Sequence, residues 1–206
     1  MQRKKKLITL NFKTLKPYLP FSLLALTFVL GVLFGNLFVC KVDSLYLLSV
    51  DKLENLYSVK SSLNFLPMLK ESLLSVLPFY ILLFICGTSV VGTAITPFII
   101  LYNGFSYGLI SGYLYSTYKL EGIMFSALIL LPTTIIAVFG LLLLAKESIY
   151  FSYQIAGICI KSNRPINLYS DFKRFCANSG LTLILALISI LFDLAMSALF
   201  IGYFNF

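Results

Sequence analysis

Histidine and tryptophan are absent from this 206-residue sequence, and only 12% of its residues are charged. Without histidine the chain cannot form a Ser-His-Asp triad, a Cys-His pair or an HExxH zinc site. Its four cysteines have no CxxC or metal-ligand spacing, and we interpret them as small apolar side chains. We therefore expect no cofactor, no metal and no enzymatic activity.

Apolar residues, by contrast, make up 59% of the sequence, and the mean hydropathy is +0.94. Soluble domains do not reach these values, and about 20 consecutive apolar residues cross a bilayer. Five runs are long enough to do so, and they cover residues 21–40, 72–91, 97–117, 122–145 and 179–203. The sequence predicts an all-α integral membrane protein, folded as a five-helix transmembrane bundle in a single membrane domain.

The segments between these runs differ in length. Residues 92–96 and 118–121 are short links, which predict tight central hairpins. Residues 146–178 predict a cytoplasmic loop with short helices. Within it, the apolar stretch 149–160 is too short for a sixth span, so it is either an interfacial helix or a continuation of the fourth span.

The charge distribution predicts the orientation in the membrane. The chain has 16 basic and 8 acidic residues, and eleven of the basic ones lie in residues 1–20 and 146–178. Because basic segments stay on the cytoplasmic side, the N-terminus is predicted to be cytoplasmic and, after five spans, the C-terminus extracytoplasmic. The basic N-terminal segment is interpreted as a topology signal that also contacts anionic lipid, and nucleic-acid binding is not expected.

The extracytoplasmic segment 41–71 contains apolar residues at helical spacing among charged ones, which predicts an amphipathic helix. Such a helix either lies in the headgroup layer or on the bundle, or docks an extracytoplasmic partner. The candidate partner-binding residues are Leu45, Leu48, Asp51, Leu53, Glu54 and Leu56.

Glycines recur at four-residue spacing in two spans. Gly104, Gly108 and Gly112 form two overlapping GxxxG steps in the third span, and Gly31 and Gly35 form one in the first. This spacing puts the glycines on one helix face, where another backbone can approach closely. The neighbouring helix belongs either to the same chain or to a second copy in a homo-oligomer.

Two polar residues, Asn103 and Asp193, lie inside predicted spans. A carboxylate near the bilayer centre is costly unless it is paired, hydrated or protonated, so both side chains are expected to be buried in the bundle interior. Asp193 is either a hydrogen-bonded structural carboxyl or part of an ion or proton relay.

Several motifs in order resemble the stage II sporulation protein M family. They are Gly87-x-Ser89-x-x-Gly92, Asn103-Gly104-Phe105-x-x-Gly108-x-x-x-Gly112, Glu121-Gly122 and Leu131-Pro132. The similarity covers nearly the whole chain. One departure follows the Leu-Pro pair: members often carry a polar Gln-Asn or Asn/His-Gly element there, whereas this sequence has Thr133-Thr134.

The resemblance implies a non-enzymatic scaffold in the bacterial cell membrane, located in the mother-cell septal membrane. Such proteins recruit peptidoglycan hydrolases, a lytic transglycosylase and an amidase/endopeptidase on the extracytoplasmic side, for wall thinning and engulfment during endospore formation. The residues leave one alternative open: a transporter or permease-like component that uses Asp193 and the polar and glycine residues of the third span.

Overall fold

The computed structural model describes residues 19–41, 65–160 and 168–200. These residues form five α-helices and one π-helical turn, and they contain no strand. The elements are α1 (Leu19–Lys41), α2 (Phe65–Gly87), α3 (Gly92–Phe125), the π turn (Ser126–Leu130), α4 (Leu131–Ile160) and α5 (Leu168–Phe200). The predicted all-α fold is confirmed.

All five helices are long and apolar enough to cross a membrane. The two shortest, α1 and α2, have 23 residues each and are about 34 Å long at 1.5 Å per residue, which exceeds the hydrocarbon thickness of a bilayer. Large apolar side chains such as Phe34, Phe98 and Leu181 are exposed on the outside of the bundle. They lie in contact with lipid in a membrane, and the chain is therefore a multi-pass membrane protein.

Successive helices run in opposite directions. Residues early in α2 contact residues late in α5, as Ser72 does with Asp193, while residues late in α2 contact the start of α5, as Phe84 does with Phe175. We name the two ends of the bundle after the turns they contain. The Lys119 end holds the last residue of α1 and the first of α2, and the Gly92 end holds the turn between α2 and α3.

The turn at the Gly92 end comprises residues 88–91, earlier than the predicted link 92–96. It is closed by backbone hydrogen bonds from Ser89 to Cys86 and from Gly92 to Ser89. Pro97 does not begin the third helix as the sequence suggested, because α3 already begins at Gly92. Gly92 is required there, since a methyl group on it would overlap the Cys86 carbonyl.

The α3–α4 connection is tighter still. The backbone at Lys119 is not helical, with a φ of 48°, and the chain turns there, at the place where the sequence predicted the link 118–121. A methyl group on Gly122 would overlap the Leu114 carbonyl. This crowding explains why glycine follows the turn.

The predicted loop 146–178 is mostly helical. Residues 149–160 continue the fourth span, which was one of the two alternatives, whereas α5 begins earlier than the predicted residue 179. Helix α4 continues to Ile160 and α5 already begins at Leu168. The physical reason is an aromatic stack: the Phe175 ring lies 5.0 Å from the Phe151 ring and 5.3 Å from the Phe84 ring. Phe151 and Phe175 are buried in it, and their packing stabilises the extra turns of both helices.

Candidate functional site

Helices α1 and α3 are in backbone contact along their glycines. A methyl group on Gly31 would overlap the Leu101 carbonyl, and one on Gly104 would overlap the Phe28 carbonyl. One turn further, a methyl group on Gly35 would overlap the Phe105 carbonyl. A methyl group on Gly108 would overlap the Val32 carbonyl and lie 3.0 Å from the Gly35 Cα. The structure therefore places the two glycine faces against each other within one chain.

Gly112 extends this contact by a further turn. A methyl group on it would lie 2.9 Å from the Asn36 Oδ1, which also accepts a hydrogen bond of 3.2 Å from the Ser111 hydroxyl. All five predicted glycines thus take part in one parallel contact between α1 and α3. The contact holds the last turns of α1 in place at the Lys119 end.

A cavity of about 180 Å³ lies on another side of α3, lined by α2, α3, α4 and α5 in the half of the bundle nearer the Lys119 end. Its apolar walls include Val76, Ile110 and Phe125. Its polar lining is unusual for a membrane bundle, and comprises Glu71, Ser72, Ser75, Tyr107, Tyr113, Tyr118, Thr133, Thr134, Ser189 and Asp193. We take this cavity as the candidate site.

Two acidic residues line the cavity, Glu71 on α2 and Asp193 on α5. The Asp193 Oδ2 accepts a hydrogen bond of 2.8 Å from the Ser72 hydroxyl of α2, and the side chain is partly exposed to the cavity. The expectation that Asp193 is buried therefore needs correction, because the cavity keeps the carboxyl accessible. Tyr107 of α3 and Thr134 of α4 line the same cavity as this carboxyl.

The end of the π turn and the first turn of α4 form one wall of the cavity, through Leu130, Thr133 and Thr134. Pro132 has no backbone N–H to donate, and the Leu131 N–H reaches back to the Ser126 carbonyl, which is the spacing of a π-helix. The Thr133 and Thr134 hydroxyls donate to the Ile129 and Leu130 carbonyls of this turn, at 3.1 and 2.5 Å. The two threonines thus have a local structural role in stabilising the widened turn.

Asn103 is buried, with 6% of its surface exposed, as the sequence predicted for this residue. Its Oδ1 has no hydrogen-bond partner among the described residues. It lines a second, much smaller cavity of about 10 Å³, which shares Ser75, Val76, Tyr107 and Ala137 with the larger one. The small cavity therefore adjoins the candidate site.

The sequence analysis missed a polar cluster at the Gly92 end. The Ser152 hydroxyl donates to the Ser89 carbonyl at 2.7 Å and accepts a hydrogen bond of 2.9 Å from the Thr93 N–H. One turn away, the Ser148 hydroxyl donates to the Leu83 carbonyl at 2.9 Å. The available signal was the four-residue spacing of the two serines in an apolar run, which puts both on one helix face.

The predicted partner-binding residues of segment 41–71 lie outside the described residues. They are Leu45, Leu48, Asp51, Leu53, Glu54 and Leu56. Both ends of this segment are described, however: α1 ends at Lys41 and α2 begins at Phe65. The segment thus begins and ends at the Lys119 end of the bundle.

These features define the class of protein as an all-α, multi-pass membrane bundle with a polar cavity between its helices. The family model for stage II sporulation protein M matches residues 24–202, which is most of the chain. The chain therefore belongs to the stage II sporulation protein M family, a family of membrane proteins of sporulation and not a known class of enzyme. No curated protein and no solved structure matches the chain.

Proposed function

We propose that this protein is a non-enzymatic membrane scaffold that recruits peptidoglycan hydrolases for septal wall thinning and engulfment during endospore formation. Membership of a sporulation family supports the process. The partners are a lytic transglycosylase and an amidase/endopeptidase. The structural observation that carries the scaffold role is the attachment of residues 42–64 to the bundle at both ends, at Lys41 and Phe65.

The geometry of this attachment suits a docking role. A segment fixed at both ends loses less conformational entropy when it binds than a free tail does. The contact of Gly31 and Gly35 with α3 fixes the helix that leads into the segment. A partner bound to this segment is thereby tethered to the bundle through Lys41 and Phe65.

The charge distribution supports the side of the membrane on which the segment lies. Eleven basic residues in segments 1–20 and 146–178 favour a cytoplasmic N-terminus, and the Lys119 end is then extracytoplasmic. Peptidoglycan hydrolases act on that side. In a sporulating cell the scaffold belongs in the mother-cell septal membrane.

Site-specific crosslinking in sporulating cells tests this proposal. A photoreactive residue placed at Leu48 or Leu56 should yield crosslinks to a lytic transglycosylase and an amidase/endopeptidase, identified by mass spectrometry. The charge reversals Asp51→Lys and Glu54→Lys should abolish them, whereas the matched reversal Asp171→Lys in the first turn of α5 should not. Crosslinks to neither enzyme, or crosslinks unaffected by both outer reversals, would contradict recruitment through this segment.

The second candidate function is a transporter or permease-like component, and the cavity at Asp193 is the observation that favours it. The glycine residues of α3 do not line this cavity, because they are covered by α1. A transport path through the cavity would instead pass Tyr107 and Asp193. Proton uptake into vesicles containing the purified protein, followed with an internal pH dye, should then be lost in Asp193→Asn; equal uptake in both proteins would exclude Asp193 from such a path.

A further inference from the structure

Asn103 of α3 places an amide group in the bundle interior, at the smaller of the two cavities. We propose that this small cavity binds one water molecule, which hydrogen bonds the Asn103 side chain and exchanges with water in the main cavity at Asp193. The proposal concerns a neutral ligand and does not depend on hydrolase recruitment. It also differs from transport, because it requires no passage across the membrane.

The Asn103 amide oxygen requires a hydrogen-bond donor. The side chain is only 6% exposed, and its Oδ1 has no hydrogen-bond partner among the described residues. Buried polar atoms nearly always have such a partner, either in the protein or in an ordered water molecule. Since Asn103 lies in a membrane bundle, bulk water does not reach it, and a bound molecule has to supply the donor.

The volume of the small cavity fits one water molecule and nothing larger. It is about 10 Å³, close to the roughly 10–15 Å³ that a single buried water requires. Cavities that stay dry have apolar walls, whereas a polar lining retains water. Half of the lining of this cavity is polar, and these residues are Ser75, Tyr80, Asn103 and Tyr107.

The polar lining provides both acceptors and a donor for a water molecule. The Tyr80 hydroxyl donates to the Ala137 carbonyl at 3.0 Å, so its oxygen is left to accept. The Ser75 hydroxyl makes no hydrogen bond with another described residue, so its hydrogen is available to donate. A water molecule donates to Asn103 and Tyr80 and accepts from Ser75, which gives it the three hydrogen bonds that are roughly typical of buried water.

The lining favours a neutral molecule over a cation. The two carboxyl groups of this region, Glu71 and Asp193, line the main cavity, and no acidic residue lines the small one among the described residues. A positive charge at membrane depth is costly unless a carboxylate pairs with it. Water carries no net charge and still supplies the donor that the Asn103 oxygen requires.

The small cavity is reached from the main one. The two cavities share a wall of four residues, which are Ser75, Val76, Tyr107 and Ala137. The main cavity extends to Glu71, near the start of α2, and to Tyr118, next to the turn residue Lys119. Water therefore arrives from the Lys119 end of the bundle and passes Ser75 and Tyr107 before it reaches Asn103.

Toward the Gly92 end, the small cavity is closed by apolar side chains. Three residues that are at most 2% exposed belong to one hydrophobic core, and each lies three residues nearer the Gly92 end than a residue that lines the cavity. They are Leu83, Ile100 and Leu144. The Asn103 site is therefore the inner end of a polar space that is open toward one side only.

Radiolytic labelling with X-rays tests the proposal on the native protein in lipid nanodiscs. X-rays split water into hydroxyl radicals, and inside a membrane protein these radicals oxidise side chains that adjoin a bound water molecule. Tyr80 lines the small cavity but not the main one, so its oxidation reports water at Asn103. We expect mass spectrometry to find oxidised Tyr80, although only 2% of its surface is exposed.

Phe175 is the internal control of this experiment. It also has an aromatic ring and is also 2% exposed, but it lies in the aromatic stack and lines neither cavity. Because it lies closer to the Gly92 end than Tyr80 does, radicals from bulk water at that end would reach it first. We expect no oxidation of Phe175 under conditions that label Tyr80.

Rapid mixing with ¹⁸O-labelled water immediately before the X-ray pulse tests the exchange. The oxygen added to Tyr80 should then be ¹⁸O, because water from the main cavity replaces the molecule at Asn103. The variant Asn103→Leu should lose the labelling of Tyr80, since leucine is similar in size and has no acceptor. Asn178→Leu makes the same replacement on α5 and should keep the labelling, because Asn178 lines neither cavity.

The native protein decides the matter even if Asn103→Leu fails to fold. Oxidation of Tyr80 no stronger than that of Phe175 would overturn the proposal. So would oxidised Tyr80 that carries only ¹⁶O after mixing, because the water would then be sealed off from the main cavity. Undiminished labelling of Tyr80 in a folded Asn103→Leu protein would also contradict the site.

Discussion

Gly35 and Gly108 lie against each other between α1 and α3, where a methyl group on Gly108 would lie 3.0 Å from the Gly35 Cα and would overlap the Val32 carbonyl. The two backbones are therefore in direct contact, with no side chain between them. Lipid is as apolar as the helices themselves, so close packing of this kind is a main source of helix association in membranes. Any side chain at either position has to separate the helices.

Replacing Gly108 by leucine is expected to lower the free energy of unfolding by roughly 3 kcal/mol, the upper range for overpacking. The reason is that the leucine Cβ meets backbone rather than a movable side chain. Titration with a denaturing detergent, followed by circular dichroism, measures the change. Gly157→Ala and Gly180→Ala are the matched controls, because nothing lies within 4 Å of a methyl group at either position, and both should be close to neutral.

Substitution of Ser152 by alanine should loosen the turn between α2 and α3. Its hydroxyl bonds the Ser89 carbonyl and the Thr93 N–H, and alanine leaves both without this partner at a cost of roughly 1–3 kcal/mol. Hydrogen exchange at the Thr93 amide should accelerate accordingly. Ser116→Ala is the control, since Ser116 is exposed and donates only within its own helix to Tyr113. Equal exchange in all three proteins would show that Ser152 does not hold the turn.

Phe175→Ala should remove the centre of the aromatic stack at the Gly92 end. Phe175 is 2% exposed and its ring is stacked on Phe84 and Phe151. Truncating such a side chain costs about 3–5 kcal/mol, and we expect a matching loss in thermal unfolding in detergent. Phe98→Ala, at a side chain 72% exposed on the lipid face, should change the midpoint little. Similar losses for the two variants would contradict the central position of Phe175.

The bond between Ser72 and Asp193 should be measurable as a coupling energy. A double-mutant cycle with Ser72→Ala and Asp193→Asn isolates their interaction from the effects of each change alone. Hydrogen bonds between membrane helices average about 0.6 kcal/mol and reach about 1.7 kcal/mol, and we expect a value in this range. A second cycle that pairs Asp193→Asn with Ser116→Ala provides the reference, because these residues are not in contact, and its coupling should be zero.

Local properties of the sequence were sufficient to predict the helical fold. Each span has an apolar run of its own, and hydropathy depends on nothing outside the run. The early start of α5 was missed because Phe84, Phe151 and Phe175 are far apart in the chain. A stack of three distant rings leaves no signal within any one segment.

The candidate site was predictable only in part. Asp193 could be identified because a carboxyl inside an apolar run is costly by itself. Its partner Ser72 is 121 residues away, and nothing in the sequence links the two. The cavity depends on the widened π turn before Pro132, and its volume is a property of four helices together.

The central claim is that this membrane bundle serves engulfment through its outer segment. The most direct measurement is membrane-dye microscopy of starved cells of the source bacterium lacking this gene and complemented either with the native protein or with the Asp51→Lys, Glu54→Lys protein. The account predicts that the native protein restores migration of the mother-cell membrane around the forespore, and that the doubly reversed protein, although present in the membrane, leaves the septum flat or bulging. Normal engulfment without the gene, or with the reversed protein, would contradict it.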